Sequence, residues 1–388
     1  MSKATTVTAT GPVNIFDLME LARSKQDVIS MGLGDPDPVT PAHIIDAAKR
    51  AIESKPAGPG PAAGLPELRQ AIARKLKRDN GIDADPETEI LVTTGGQEAL
   101  FLLIQTLIEP GDEVIVQDPR YTSYDDAIEL AGGRMVSVPT REEDAFDLDP
   151  DEVERRLTPR SKALLMISPN NPTAGIVSPA NVRRLAEIAQ KHDLIVIADE
   201  IYEKFIYDDA EHLSIASLPG MKERTITLNG ASKTYAMTGW RIGYLAAPAA
   251  FVRAATAIKA MINVQAPIVS QLAAVAAFDG PQDCVEEMRQ MYAARRRLLL
   301  DALDDMGFTY GLPRGALYVW ANTASTGIEA IELTRLFLDE GVLIFPGTGF
   351  GEGWDDYMRM TLLQPIDVLR EATNRMRRAL AKRRAVGG

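Results

Sequence analysis

Cysteine and histidine are scarce in this chain, and each scarcity removes a class of function. Cys284 is the only cysteine among 388 residues, so an intramolecular disulfide is impossible and a cysteine-built zinc cluster is excluded. His43, His192 and His212 are scattered without paired ligand spacing, and no metal is expected. No apolar run reaches the roughly 18 residues that would span a bilayer. The opening MSKATTVTATGPVN lacks the apolar core of a secretory signal. A surplus of basic residues is missing too: the net charge of −12 argues against nucleic acid and anionic membranes, which reward Lys and Arg. A cytoplasmic protein acting on small molecules is the expectation.

What is present is a globular composition, 46% apolar and 25% charged, on a chain long enough for more than one lobe. From about residue 65, helical patterns alternate with short apolar runs. LPELRQAIARKLKRDNG is amphipathic and stops at Asn80-Gly81. EILVT (89–93), EVIVQ (113–117), ALLMIS (163–168), LIVIA (194–198), TITLN (225–229) and IGYLAA (242–247) read as strands. Runs so uniformly apolar predict burial on both faces, hence an α/β fold with a mainly parallel sheet sandwiched by helices. After about residue 285 a long helix, a strand-like ALYVW and two more helices predict a smaller α+β domain. The basic C-terminus keeps apolar Ile366, Leu369, Met376 and Leu380 at helical spacing, the pattern of a packed helix with a solvated face.

Unusual residues fall directly after the apolar runs, where open parallel sheets bind ligands. TTGGQEAL follows EILV, DPRY follows EVIVQ, SPNNPTAG follows ALLMI, DEIY follows LIVIA, and NGASK follows TITL. Together they predict one crevice. Gly95, Gly96 and Gln97 open a helix, where close backbone approach and free N–H groups suit a phosphate; a plain turn is the simpler reading of a glycine pair. Asp199 is either a helix N-cap or a carboxylate held opposite a cationic ring, with Tyr202 one turn on. Tyr121 offers an aromatic face, or only wall packing, and Asn171 stands in a turn-forming Asn-Asn-Pro. Lys233 is the sharpest case, set against the plain reading of a solvated surface lysine after a strand. A lysine can attack a carbonyl only when unprotonated, and its reference pKa near 10.4 opposes that unless a partly dry pocket and a neighbouring cation lower it. Arg241 is placed to clamp a phosphate.

GASKTYAMTGWRIG resembles the pyridoxal-phosphate attachment signature of the class I/II aminotransferases at every defined position, through Gly230, Ser232, Lys233 and Arg241. The likeness runs from GLGDPD (32–37) to YMRMTL (357–362). It implies fold type I, with an N-terminal arm and first part of the small domain at 1–47, a large cofactor-binding domain at 48–285 and the rest of the small domain at 286–388. It also implies a Schiff base at Lys233, which moves the substrate's α-proton. Asp199 would pair with the pyridine nitrogen, Tyr202 and Asn171 with the ring hydroxyl, and Tyr121 would stack on the ring. Gly95, Gly96, Gln97, Ser232 and Arg241 would surround the phosphate. Arg359 would grip the substrate α-carboxylate, assisted by the Gly34 backbone and Asn171, while Phe16, beside Ile15, and Tyr318 would line the side-chain pocket.

The implied reaction is transfer of an amino group from an L-amino acid to a 2-oxo acid by a ping-pong mechanism, in a homodimer with shared active sites. A C–S β-lyase or synthase on the same fold is the alternative. A regulator without turnover is disfavoured, since only about 30 residues precede GLGDPD. Two departures stand out: Pro59 where many relatives carry a tyrosine, and Ala174 for the glycine of NPTG. KAMINVQAPIVSQ has no arginine to hold a distal carboxylate in a partner's site, which disfavours the aspartate-specialised subtype, although related subgroups recognise dicarboxylates by other means; Ile15, Phe16 and Tyr318 in the side-chain pocket would suit apolar or aromatic donors.

Overall fold

Val114, Ile115 and Val116 alternate in direction along one strand, yet all three are apolar and need cover on both sides. The computed structural model, which describes residues 15–54 and 60–387, supplies that cover. The chain begins with α1 (Ile15–Ser24), β1 (Ile29–Ser30), α2 (Ala42–Glu53) and α3 (Pro66–Lys75). The sheet-forming part follows as β2 (Ile90–Thr93), α4 (Gly95–Leu107), β3 (Glu113–Asp118), α5 (Ser123–Leu130), β4 (Arg134–Pro139), α6 (Pro150–Arg155), β5 (Ser161–Ile167), α7 (Pro179–Lys191), β6 (Ile195–Asp199), β7 (Thr225–Gly230) and β8 (Gly243–Ala246). These strands form one seven-stranded sheet in the order β2-β8-β7-β6-β5-β3-β4. Its neighbours from β7 to β4 pair in parallel, and β8 runs antiparallel to both β7 and β2.

Val114 and Val116 join Leu102, Leu103 and Leu165 on the face covered by α4, α5 and α8 (Ala249–Ile262), while Ile115, Leu164 and Met166 pack on the opposite face with Val182 and Leu185 of α7. β4, with Arg134 and Ser137, has no continuous apolar run and escaped the sequence reading. It is an edge strand, paired only with β3 among the described residues, and an edge does not demand two apolar faces. Beside β2 and β8, α2, α3 and α9 (Ile268–Asp279) enclose Ile72, Val92, Tyr244 and Phe278.

The remaining elements are α10 (Asp283–Met306), β9 (Thr309–Tyr310), β10 (Tyr318–Asn322), α11 (Ala330–Asp339), β11 (Val342–Leu343), β12 (Phe345–Pro346), β13 (Tyr357–Thr361) and α12 (Ile366–Gly387). β12-β13-β10-β9 make an antiparallel sheet under α10, α11 and α12. β1 pairs in parallel with β11, so the N-terminal segment is stitched to the C-terminal lobe. Residues 47 and 48 both lie within α2, and 285 and 286 within α10.

Candidate active site

The carboxyl ends of β2, β5, β6 and β7 open on one cavity of about 370 Å³, within the range of small-molecule sites. At the end of β6, Asp199 is buried. Its carboxylate accepts from Tyr124 Oη at 2.9 Å and from the Ile201 backbone N–H at 3.2 Å. Burial pushes its pKa up to about 6, against those two hydrogen bonds. Among the described residues no cation pairs with it.

Lys233 follows β7. Its Nζ donates to the Gly34 carbonyl at 2.7 Å and lies 3.7 Å from Asp35. Burial lowers its pKa to about 8; Asp35 resists the shift, and Arg359 and Arg241 assist it. An amine that titrates this close to neutrality can be a nucleophile or a base.

Arg241 sits on a left-handed backbone, φ 56°, and its guanidinium packs on Gly95, also left-handed at φ 80°. The left-handed conformation demands glycine at Gly95, and a Cβ there would come 2.5 Å from Arg241 Nη2 and displace the tip of that side chain. Gly96, Gln97 and Ser232 line the same end of the cavity. Tyr121 lines it too, its hydroxyl donating to Gln97 Oε1 at 3.1 Å.

Across the cavity, β13 carries Arg359. Its Nη1 donates to Asn171 Oδ1 at 2.9 Å and its Nη2 to the Gly32 carbonyl. Tyr318 and Phe350 lie 4.6 Å from the guanidinium carbon and Phe345 lies 5.5 Å away. Nε has no partner although it is buried, and among the described residues no carboxylate pairs with this cation. Burial lowers its pKa, with Tyr318 and Tyr202 opposing.

The structure thus brings together Gly34, Gly96, Gln97, Tyr121, Asn171, Asp199, Tyr202, Ser232, Lys233, Arg241, Tyr318 and Arg359, with Gly95 behind Arg241. Tyr318 lines the cavity while otherwise buried, and its hydroxyl is 2.5 Å from that of Tyr202. Phe16 belongs to α1, and its side chain, with that of Ile15, falls outside the described residues, as does Pro59. Ala174 adopts φ 59°, so the turn keeps the left-handed conformation that a glycine would favour.

Sequence reasoning missed Tyr124, although it lies one helical turn after Tyr121 in DPRYTSY, and it missed Asp35 inside GLGDPD. It also missed a buried cluster beside Asp199, where Glu200, Glu203 and His212 converge and Lys75 pairs with Glu203. Glu200, Glu203 and His212 are near neighbours in sequence without regular ligand spacing, and only Lys75 is remote.

A family model for "Aminotransferase class I and II" matches residues 26–376. The chain belongs to the class I and II aminotransferases. It is similar to an aspartate aminotransferase of Pyrococcus abyssi, 42% identical over 96% of this chain and 97% of that protein. It also resembles aromatic-amino-acid aminotransferase 2 of Thermococcus litoralis, 40% identical over 97% of each. Among solved structures, an aromatic aminotransferase from Pyrococcus horikoshii superposes with a TM-score of 0.90 at 42% identity, over 95% of this chain and 99% of that one. The sheet order and flanking helices are those of fold type I. The aminotransferase depends on pyridoxal phosphate and carries out transamination. The cavity suits that cofactor chemically, offering a near-neutral amine, a buried carboxylate without a cation, and a guanidinium set against a glycine turn.

Proposed function

We propose that this cavity is the transamination site and that Lys233 holds the cofactor's aldehyde carbon. The observation that carries the reading is the grouping of Lys233, Asp199, Arg241 and Arg359 around one cavity. Asp199 would face the ring nitrogen, since a cation there relieves the penalty on its buried charge. Tyr202 and Asn171 would meet the ring hydroxyl, and Tyr121 would lie on the ring. Gly95, Gly96, Gln97, Ser232 and Arg241 would hold the phosphate at the start of α4. When bound, the cofactor supplies an electron sink for the carbanion left at the substrate's Cα. Once the substrate's own amine has replaced it at the aldehyde carbon, the freed Lys233 amine, titrating at about 8, would take the proton from the substrate's Cα and return it. Arg359, a buried cation without a carboxylate partner among the described residues, grips the substrate's own α-carboxylate. Gly34, whose carbonyl holds Lys233 Nζ, positions the amine.

The donor is an L-amino acid with an apolar or aromatic side chain, and the acceptor is a 2-oxo acid, in ping-pong exchange. Met19, Leu33 and Ile201 line the cavity, and its cations among the described residues are Lys233, Arg241 and Arg359. Asp35 adds a negative charge that opposes a second carboxylate. A homodimer is supported by exposed Met261, Ile262 and Val264 at the end of α8. The lobes at 48–285 and 286–388, the second joined by part of 1–47, are supported by the two sheets built in those spans, one of seven strands and one of four, and by the pairing of β1 with β11. No described helix is long and apolar enough to cross a membrane. A cytoplasmic setting is supported by the solitary Cys284, which leaves no intramolecular disulfide to form.

Borohydride reduction of the cofactor-loaded protein, followed by peptide mapping, should mark Lys233. Donors mixed with 2-oxoglutarate should then show faster turnover of tyrosine, phenylalanine or leucine than of aspartate. A label elsewhere rejects the site, aspartate preference rejects the donor class, and pyruvate release without amino transfer would indicate a lyase.

A further inference from the structure

One buried ion pair lies behind the cavity without reaching it. Glu98 stands in the first turn of α4, directly after Gln97. Its carboxylate accepts from the Thr94 backbone N–H and from Asn263 Nδ2 at 2.7 Å. Lys259 of α8 donates to both carboxylate oxygens, at 2.9 and 3.0 Å, and to Asn263 Oδ1 at 2.8 Å. Asn263 Nδ2 also donates to Thr94 Oγ1 at 3.0 Å. The Lys259 side chain is 0% exposed and that of Glu98 10% exposed. Neither lines the cavity.

A lysine so completely removed from water is rare and persists only when paired. Here the pairing has an electrostatic consequence for the α4 N-terminus. That terminus attracts an anion through its free N–H groups and its dipole, but Glu98 already places one negative charge in the same turn. A phosphate dianion arriving at Gly96 and Gln97 would be repelled by a bare Glu98 carboxylate. The carboxylate is nevertheless needed, because the side chain of Thr94, the residue that starts the helix, does not cap it, whereas Glu98 accepts the Thr94 N–H.

We propose that Lys259 is a positioning residue for cofactor binding: it neutralises Glu98, so that Glu98 shapes the start of α4 without repelling the phosphate that this start receives. Asn263 completes the arrangement by bridging both groups and Thr94. The inference rests on the reading that the α4 N-terminus holds the phosphate, and it assigns work to side chains that meet neither cofactor nor substrate.

The test compares pyridoxal phosphate with pyridoxal, which lacks the phosphate, by equilibrium dialysis against the full-length protein. Lys259→Met should weaken pyridoxal phosphate by about tenfold or more while changing pyridoxal by less than about twofold. Glu98→Gln keeps the hydrogen-bond acceptor and removes the charge, and should bind pyridoxal phosphate at least as tightly as the parent. The double variant E98Q/K259M should return to within about threefold of the parent. Equal weakening of both ligands in Lys259→Met would mean a merely structural lysine and would overturn the proposal. Should Lys259→Met not fold, Glu98→Gln decides alone: affinity equal to or above the parent's supports charge compensation, and weaker binding rejects it. If the parent protein binds both ligands equally, the phosphate reading of α4 fails, and the role of Lys259 with it.

Discussion

Arg359 shows at the scale of one residue how a site is set against stability. A guanidinium buried among Tyr318, Phe345 and Phe350 loses hydration, and its two hydrogen bonds, to Asn171 and Gly32, leave Nε unmet. Stability alone would favour an apolar side chain here, since buried charges are often replaced by hydrophobic ones at no loss. Arg359→Met is therefore expected to unfold at the same or higher denaturant concentration than the parent protein. It should also bind amino acids more weakly by about 2–5 kcal/mol, the cost of truncating one partner of a desolvated charge pair. Denaturant unfolding and amino-acid titration of the cofactor's absorbance check the two halves. A clear loss of stability with unchanged amino-acid affinity would make Arg359 a structural residue.

Two elements show how local chain chemistry positions the site from behind. α4 begins at the Gly95 turn and is anchored by a side that packs on the sheet, with Leu102 and Leu103 fully buried. Leu103→Ala should cost about 2–5 kcal/mol of stability, read by denaturant unfolding, and should leave Lys233 as the borohydride-marked residue. α3 passes into a π-helical turn, Leu76–Asn80, and stops at Gly81 with φ 70°. The end of α3 and this turn aim Lys75 and Asn80 at Glu203, Glu200 and Ser214, below the end of β6. Here two carboxylates face one lysine, and His212 supplies the balance. Burial opposes its charged form, but Glu200 and then Glu203 outweigh burial and raise its pKa. A raised histidine gives stability that is fully present below its unfolded pKa and is lost as pH rises through the folded one. His212→Gln should thus destabilise more at pH 6 than at pH 9 in thermal unfolding, and a pH-independent difference would refute the pairing.

For the whole molecule, the site imposes a measurable load on the fold. Asp199 is raised from 3.8 to about 6 and Lys233 lowered from 10.5 to about 8, so the polypeptide holds both charges unwillingly at pH 7. Between about pH 4 and 6 the folded chain keeps a proton on Asp199 that the unfolded chain has released, so stability falls as pH rises through that window. A shift of this size corresponds to about 3 kcal/mol. In the cofactor-free protein, Asp199→Asn should gain roughly that amount at pH 7 and almost none near pH 4; an equal gain at both would contradict the burial argument. By itself the sequence determined the layers, because apolar runs such as ALLMI and LIVIA can be satisfied only inside a covered sheet. It also singled out Lys233, Asp199 and Arg241 as candidates, because they stand at or soon after the ends of strand-like runs, whereas Arg359, inside a strand, entered only through the family resemblance. It did not reveal the edge strand β4, whose one-sided exposure lets polar residues interrupt the pattern. Only the tertiary structure decided that Tyr124 meets Asp199, that Tyr318 meets Tyr202, and that Lys259 lies buried against Glu98. Such pairings join residues up to 161 positions apart, and what selects them is packing and desolvation in three dimensions, for which spacing along the chain carries no signal.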